Sequence, residues 1–293
     1  MGKRIFSTLV LWAVAVLAIV YGKSAGFCAL ICALALGANY EVCTLLRKAG
    51  FAPKCAFVQI ATILIFAFST PDIFAAFGLK IPCAATTAGG DIIAGLSVAI
   101  LAAELVKDPY GEYFKKTLLP TAAAIITVPF MLKWYAVSAS STGGEGYASI
   151  MFAVWIIAAA KFSDVGAYVI GAAFGRHKLA PTMSPNKTWE GAVGGMLSSA
   201  VIGAAFAWLG AKYGVWFSAI TPLAAAIISL PIGATAIVSD LLESVFKRRI
   251  GVKDSGTTIP GIGGMLDLAD SLILCAPLAI FIKTAYILIY FNA

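Results

Sequence analysis

The sequence predicts an all-α polytopic integral membrane protein of about nine transmembrane helices, with its N-terminus cytoplasmic and its C-terminus outside. Three observations predict this. Of 293 residues, 61% are hydrophobic and only 12% charged, against about 25% charged in a soluble domain, and the mean hydropathy is +0.94. The apolar runs recur from one end to the other with no extramembrane block between them. Alternate loops between those runs collect the cations. The reading is one membrane domain over 1–293, in which 1–150 carry few motifs and 151–293 carry most of the polar residues.

A helix needs about twenty apolar residues to cross about 30 Å of hydrocarbon. Runs that meet this lie at 5–21, 27–46, 57–77, 91–106, 118–137, 150–174, 192–211, 221–246 and 265–290. The first resembles a signal peptide in its Lys3–Arg4 start, but "YGKSAG" offers no convincing small-x-small cleavage site, so an uncleaved helix is expected. Pro71, Pro120, Pro129, Pro222, Pro231 and Pro277 lie in or beside spans, where neighbouring helices satisfy the freed carbonyls. With Lys3 and Arg4 inside, the successive inside loops carry Arg47, Lys48 and Lys54; Lys107, Lys115 and Lys116; Arg176, Lys178 and Lys187; and Lys247, Arg248, Arg249 and Lys253. Those fifteen of 21 Lys and Arg set the orientation by the positive-inside rule. The six cysteines stand singly in no metal-binding spacing and read as small buried hydrophobes. The formal charge of +7 suits anionic headgroups or a polyanionic substrate. The basic residues are short loop clusters without interleaved aromatics, which argues against nucleic acid.

The polar chemistry concentrates in "SDLLESVFKRRIGVKDSGTTIPGIGG", residues 239–264. Asp240, Glu243, Ser244 and Lys247 fall at i, i+3, i+4 and i+7, one face of a helix. Asp267, Asp270 and Ser271 repeat i, i+3, i+4 at the start of the last span. Charge at membrane depth is costly, so such groups face a cavity and each other. Four converging carboxylates require a cation. Mg²⁺ suits them, because it takes one or two carboxylates, keeps waters and uses substrate phosphates as further ligands. Lys247, Arg248, Arg249 and Lys253 surround a Gly-rich stretch whose backbone N–H groups, at Gly263 and Gly264 among others, could approach phosphate oxygens. Metal, cations and pliable backbone equip a site for phosphoryl or nucleotidyl transfer. A proton or ion pathway is the rival reading of the same acids.

A second inside stretch runs "FSDVGAYVIGAAFGRHKLAPTMSPNKTWEGAVGG", residues 162–195. Asp164 lies within an apolar helix, among small residues. Thr182, Ser184 and Thr188 are candidate caps or phosphate contacts, and Lys187 stands at the entry to the next helix, whose positive dipole end favours anions. His177 and Trp189 read as interfacial residues and Glu190 as a first-turn helix residue. The "GAVGG" segment would let helices approach closely. In the first half, Glu41 reads as an ion-pair partner of Arg47 or Lys48.

These two stretches together resemble the phosphatidate cytidylyltransferases, the CDP-diacylglycerol synthases. That family's C-terminal signature is met by Ser244, Lys247, Arg248, Lys253, Asp254, Gly263, Gly264, Asp267 and Asp270 in register, and "SDVGAYVIGAAFGRHKLAPTMSPNKTWEG" is similar to its other strong block. The chain departs from the family pattern at Ile262, usually His, at Leu268, usually Arg, and at Ala269, usually larger.

The resemblance implies Mg-dependent transfer of CMP from CTP to phosphatidic acid at the cytoplasmic face of a bacterial-type inner membrane, giving CDP-diacylglycerol and pyrophosphate for phospholipid biosynthesis. It implies Asp240 and Asp267 as metal ligands, with a second cation such as K⁺ in a di-metal centre. Lys247, Arg248 and Lys253 would neutralise the triphosphate. Ser244 joins Asp240, Asp267 and Lys247 as a catalytic candidate, and Asp164, Ser184, Lys187, Thr188, Asp254, Asp270, Gly263 and Gly264 are contacts for nucleotide or headgroup. A homodimer is the family-level expectation. A CTP-dependent lipid kinase acting on polyprenol or phytol, and a cation-coupled transporter, are the alternatives.

Overall fold

The computed structural model describes residues 2–70, 83–104, 111–140, 146–213, 220–261 and 263–291. Ile262, Pro71, Lys80 and Lys107 lie outside the described residues. The chain forms two compact units. One comprises Met1–Thr142 with Asp254–Ala269, and the other Gly143–Lys253 with Asp270–Ala293.

In the first unit, α1 (Gly2–Lys48) is interrupted at Lys23, whose φ of 50° is incompatible with a continuous helix. Its apolar part, Leu9–Lys48, would run about 60 Å if straight, twice the hydrocarbon thickness, and the break falls between the two spans the sequence predicts. α2 (Cys55–Ala67) packs on α1 through Asn39 Nδ2 donating to Thr62 Oγ1 at 2.9 Å and Gln59 Nε2 donating to the Leu36 carbonyl at 3.1 Å. α3 (Cys83–Glu104) follows. A short π-helical turn, Phe114–Leu118, then runs into α4 (Leu119–Thr127) and α5 (Pro129–Ala139). The split between them falls at Val128, because Pro129 has no N–H to continue the ladder. α9 (Met265–Ala269) completes this unit.

The second unit is built on α6 (Gly146–Phe174), α7 (Trp189–Tyr213) and α8 (Pro222–Arg249), with α10 (Cys275–Phe291). Glycines and serines set the helix spacing. A Cβ at Gly195 would stand 2.7 Å from the Ser163 carbonyl, and one at Gly203 would stand 2.7 Å from that of Ala225. Such small-residue contacts replace the hydrophobic drive that lipid removes. Buried hydroxyls lock the layers: Trp155 Nε1 donates to Ser229 Oγ at 3.1 Å, Ser199 Oγ to the Ser229 carbonyl at 2.8 Å, and Ser163 Oγ to the Gly233 carbonyl at 3.2 Å. Leu197, Val201, Leu223 and Ile227 stay exposed on the outer faces.

Among the described residues, five helices are long and apolar enough to cross a membrane, and two shorter apolar helices accompany them. The all-α expectation is corrected in one place. β1 (Lys178–Ala180) and β2 (Ser184–Thr188) form an antiparallel hairpin within the predicted inside loop. Its backbone pairing satisfies amides that a loop would have left to solvent. The run 265–290 is also not one helix: α9 ends at Ala269, and Asp270 to Leu274 form turns before α10. Among the described cysteines, Cys28, Cys43 and Cys275 are buried and none forms a disulfide.

Candidate functional site

The helix α8 carries its polar stripe as the spacing predicts. Lys247 Nζ pairs with Glu243 Oε2 at 2.6 Å, and Ser244 Oγ lies 3.5 Å from Asp240 Oδ1, both i, i+4. The helix stops where Gly251 adopts φ +77°. There the N–H of Gly251 bonds the Arg248 carbonyl at 3.0 Å and that of Val252 bonds the Lys247 carbonyl at 3.1 Å, a Schellman closure. Arg248 and Lys253 are exposed, and an Arg248 guanidinium nitrogen donates back to the Val252 carbonyl at 3.3 Å.

Within this second unit, carboxylate oxygens of Asp240, Glu243 and Asp270 all lie within 4.8 Å of one another. Glu243 is buried, and Asp240 and Asp270 are half-buried. At that spacing two carboxylates repel by about 3–4 kcal/mol in an effective dielectric of about 20, so the cluster stands only with cations beside it. Three lysines supply them. Lys187 Nζ lies 2.6 Å from Asp240 Oδ2, Lys247 pairs with Glu243, and Lys161 Nζ lies 3.3 Å from Asp270 Oδ1. Lys161 also reaches Ser271 Oγ at 2.7 Å and Asp164 Oδ2 at 3.8 Å. Asp270 is fixed further by Ser239 Oγ donating to its carbonyl and by the Ser271 N–H donating to Oδ1 at 2.6 Å.

The β-hairpin delivers Lys187. Successive strand residues face opposite ways, so Thr188 turns inward as Lys187 meets Asp240. Thr188 Oγ1 accepts from the Gly191 N–H at 3.1 Å and caps α7. Ser184 is half-buried on the same strand. Glu190 accepts from the backbone N–H groups of Arg176 and His177 and lies 2.6 Å from His177 Nδ1, closing the hairpin's base.

In the first unit, Asp267 Oδ2 accepts from the N–H of Ser255 at 3.1 Å and of Gly264 at 2.8 Å. The Gly263 N–H bonds the Ile259 carbonyl at 3.1 Å. These two glycine amides, expected to face phosphate, serve the loop itself in this structure. Asp254 is exposed. Glu41 differs from its expected role. Arg47 and Lys48 are exposed at the helix end, whereas Glu41 is 3% exposed and accepts four hydrogen bonds from the segment 255–266. Its donors are Ser255 Oγ at 2.7 Å, Thr258 Oγ1 at 2.6 Å and the N–H groups of Met265 and Leu266, both at 2.9 Å.

Of the residues predicted from sequence, Asp240, Ser244, Lys247, Lys187, Asp164 and Asp270 come together in the second unit. Asp267, Gly263, Gly264 and Asp254 belong to the first. Sequence reasoning missed Lys161 and Glu41. The i, i+3 pair Lys161–Asp164 was the signal available for the first, whereas the partners of Glu41 are more than 200 positions away.

Apolar helices with an acidic cluster faced by lysines define a multi-pass membrane protein with a site that could hold a metal ion and attract anions. The profile of the Cytidylyltransferase family matches residues 2–286, and the chain belongs to that family. A phosphatidate cytidylyltransferase of Haemophilus influenzae is 39% identical over 133 residues, 45% of this chain and 46% of that protein. One of Staphylococcus saprophyticus is 30% identical over 240 residues, 78% of this chain and 86% of that protein. One of Mycobacterium bovis is 29% identical over 275 residues, 87% and 79% respectively.

Proposed function

We propose that the chain transfers CMP from CTP to phosphatidic acid, giving CDP-diacylglycerol and pyrophosphate. The observation that carries this reading is the cluster of Asp240, Glu243 and Asp270 with its three lysines, in a chain aligned along most of its length with phosphatidate cytidylyltransferases. The lipid phosphate is largely ionised near neutral pH and needs no protein nucleophile. Its oxygen forms a bond to the α-phosphorus of CTP as the bond to the bridging oxygen breaks and pyrophosphate leaves.

The donor set is all hard oxygen, which fits Mg²⁺. Asp240, Glu243 and Asp270 would hold it, and the signature keeps Asp267 as a proposed ligand and K⁺ as a candidate second cation. Bound there, Mg²⁺ neutralises phosphate charge and orients the reacting oxygens. Lys187, Lys247 and Lys161 are poised to exchange a carboxylate partner for a phosphate oxygen. Arg248, exposed in the last turn of α8, and Lys253, exposed beyond the helix end, add positive field for the triphosphate. Ser244 holds the Asp240 carboxylate in orientation. Ser184, Thr188, Asp164, Asp254, Gly263 and Gly264 remain proposed contacts or supports.

The proposed setting is a bacterial inner membrane crossed nine times by one membrane domain, N-terminus in and C-terminus out, with the chemistry at the cytoplasmic face and a homodimer as the working assembly. The deciding experiment supplies the protein in nanodiscs with phosphatidic acid, radiolabelled CTP and Mg²⁺. CDP-diacylglycerol and pyrophosphate are expected, and EDTA removes both. CDP with a newly phosphorylated lipid alcohol, when polyprenol is supplied instead, would make the chain a lipid kinase and overturn the reading.

A further inference from the structure

Glu41 is an acid inside an apolar helix of the first unit, and the reaction as derived gives it no task. Its surroundings do. Both oxygens are filled by donors from a single segment: two hydroxyls and two consecutive backbone N–H groups. The N–H groups belong to Met265 and Leu266, the first residues of α9, which leaves them without intrahelical partners. Ser255 is held twice, by its hydroxyl to Glu41 and by its N–H to Asp267. A displacement of the Glu41 carboxylate is therefore passed through Ser255, and through the start of α9, to Asp267.

The glycines of the segment tell the same story. A Cβ at Gly264 would stand 2.1 Å from Glu41 Oε2, and one at Gly256 would stand 2.7 Å from Glu41 Oε1. Glycine at these positions makes room for a protein carboxylate. One turn before Glu41, a Cβ at Gly37 would meet the Met265 side chain at 2.6 Å, so α1 admits the start of α9 at close range on the same face. The buried charge, the converging donors and the cleared space are one arrangement.

We propose that Glu41 is a positioning residue of this enzyme: it caps α9 and anchors the 255–266 segment, and so sets the orientation of Asp267. Only the activity arm of its test rests on the cytidylyltransferase reading. Glu41→Gln keeps the shape but turns an NH₂ group toward two of the four donors. In nanodiscs, hydrogen exchange of the 255–268 amides should quicken tenfold or more while the rest of the chain is unchanged. kcat should fall tenfold or more, with KM for phosphatidic acid within about twofold of wild type. Ser255→Ala leaves three of the four donors and should move both readouts the same way by less. Added to Glu41→Gln, it should cost less than the sum of the two.

Unchanged local exchange overturns the proposal. So does faster exchange throughout the chain with activity falling only as the folded fraction falls, which is the signature of a merely structural acid. If Glu41→Gln does not fold, Ser255→Ala alone is read by the same two criteria. Wild-type protein that makes no CDP-diacylglycerol would sink the function reading, while the exchange arm would still decide whether Glu41 holds the segment.

Discussion

Asp240 pairs with Lys187 and lies beside Glu243 and Asp270, so a change there alters both the cation balance and the proposed metal donors. Asp240→Asn is expected to lower turnover on the order of 100-fold or more, since a metal's charge stabilisation amounts to several kcal/mol. Titrating Mg²⁺ against rate checks it, because the variant should need more metal as well as turn over more slowly. Lys187→Ala removes a single cation. Its loss should lower kcat/KM for CTP roughly ten- to a hundredfold, the value of one charge-assisted hydrogen bond of about 1.5–3 kcal/mol, with the thermal midpoint little changed. At this scale the sequence was readable where periodicity is local: Asp240, Glu243, Ser244 and Lys247 share a face because 3.6 residues make a turn. Lys161 obeys the same rule with Asp164 but lies within an apolar run, away from the loops that collect the cations. Glu41 reads from sequence as an ion-pair partner of Arg47 or Lys48, because nothing in the neighbouring residues signals donors that arrive from 255–266.

Elements bring a different kind of evidence. Helices α6, α7 and α8 meet through glycines and serines, and the "GAVGG" segment predicts that closeness. Gly195→Leu would drive a side chain against the Ser163 carbonyl. Backbone cannot step aside as a side chain can, and overpacking of this kind costs about 1–3 kcal/mol. Thermal unfolding in detergent should show the midpoint falling by several degrees. Gly251→Ala tests another feature, since a Cβ there meets nothing within 4 Å. Any loss must come from the left-handed backbone, about 1–2 kcal/mol, and Gly251→Asn should lose less because asparagine tolerates that region better. The hairpin of β1 and β2 was not legible. Its strands are three and five residues long, and Pro181, Pro185 and the polar run between them read as loop. Without the hairpin, Lys187 would have had no fixed direction. Its predicted place at a helix entry was right in sequence, while its partner, Asp240, came from a helix fifty residues on.

For the whole molecule, composition and apolar runs were enough to establish a membrane protein, since a chain with 12% charged residues cannot clothe a soluble surface. The number of crossings is harder to read from hydropathy, because helices break: α1 at Lys23, the run 118–137 at Val128, and the last run after Ala269. The proposed topology predicts that a reporter active only in the cytoplasm works when fused to the N-terminus and fails at the C-terminus, and that a periplasmic reporter behaves oppositely. Equal behaviour at both ends would mean an even number of crossings and would move the count away from nine.

The bonds of Glu41 also impose an order in time. Its last donor, the Leu266 N–H, lies 225 positions further along the chain. At about 5–20 residues per second of synthesis, the carboxylate waits roughly 10–45 seconds in an apolar helix before its partners exist. During that interval, the nascent first unit carries an acid that its own completed helices cannot satisfy. A ribosome stalled between residues 142 and 254 should therefore hold a chain whose N-terminal unit is open to protease or to thiol labelling near Glu41. Release of the full-length protein should close it.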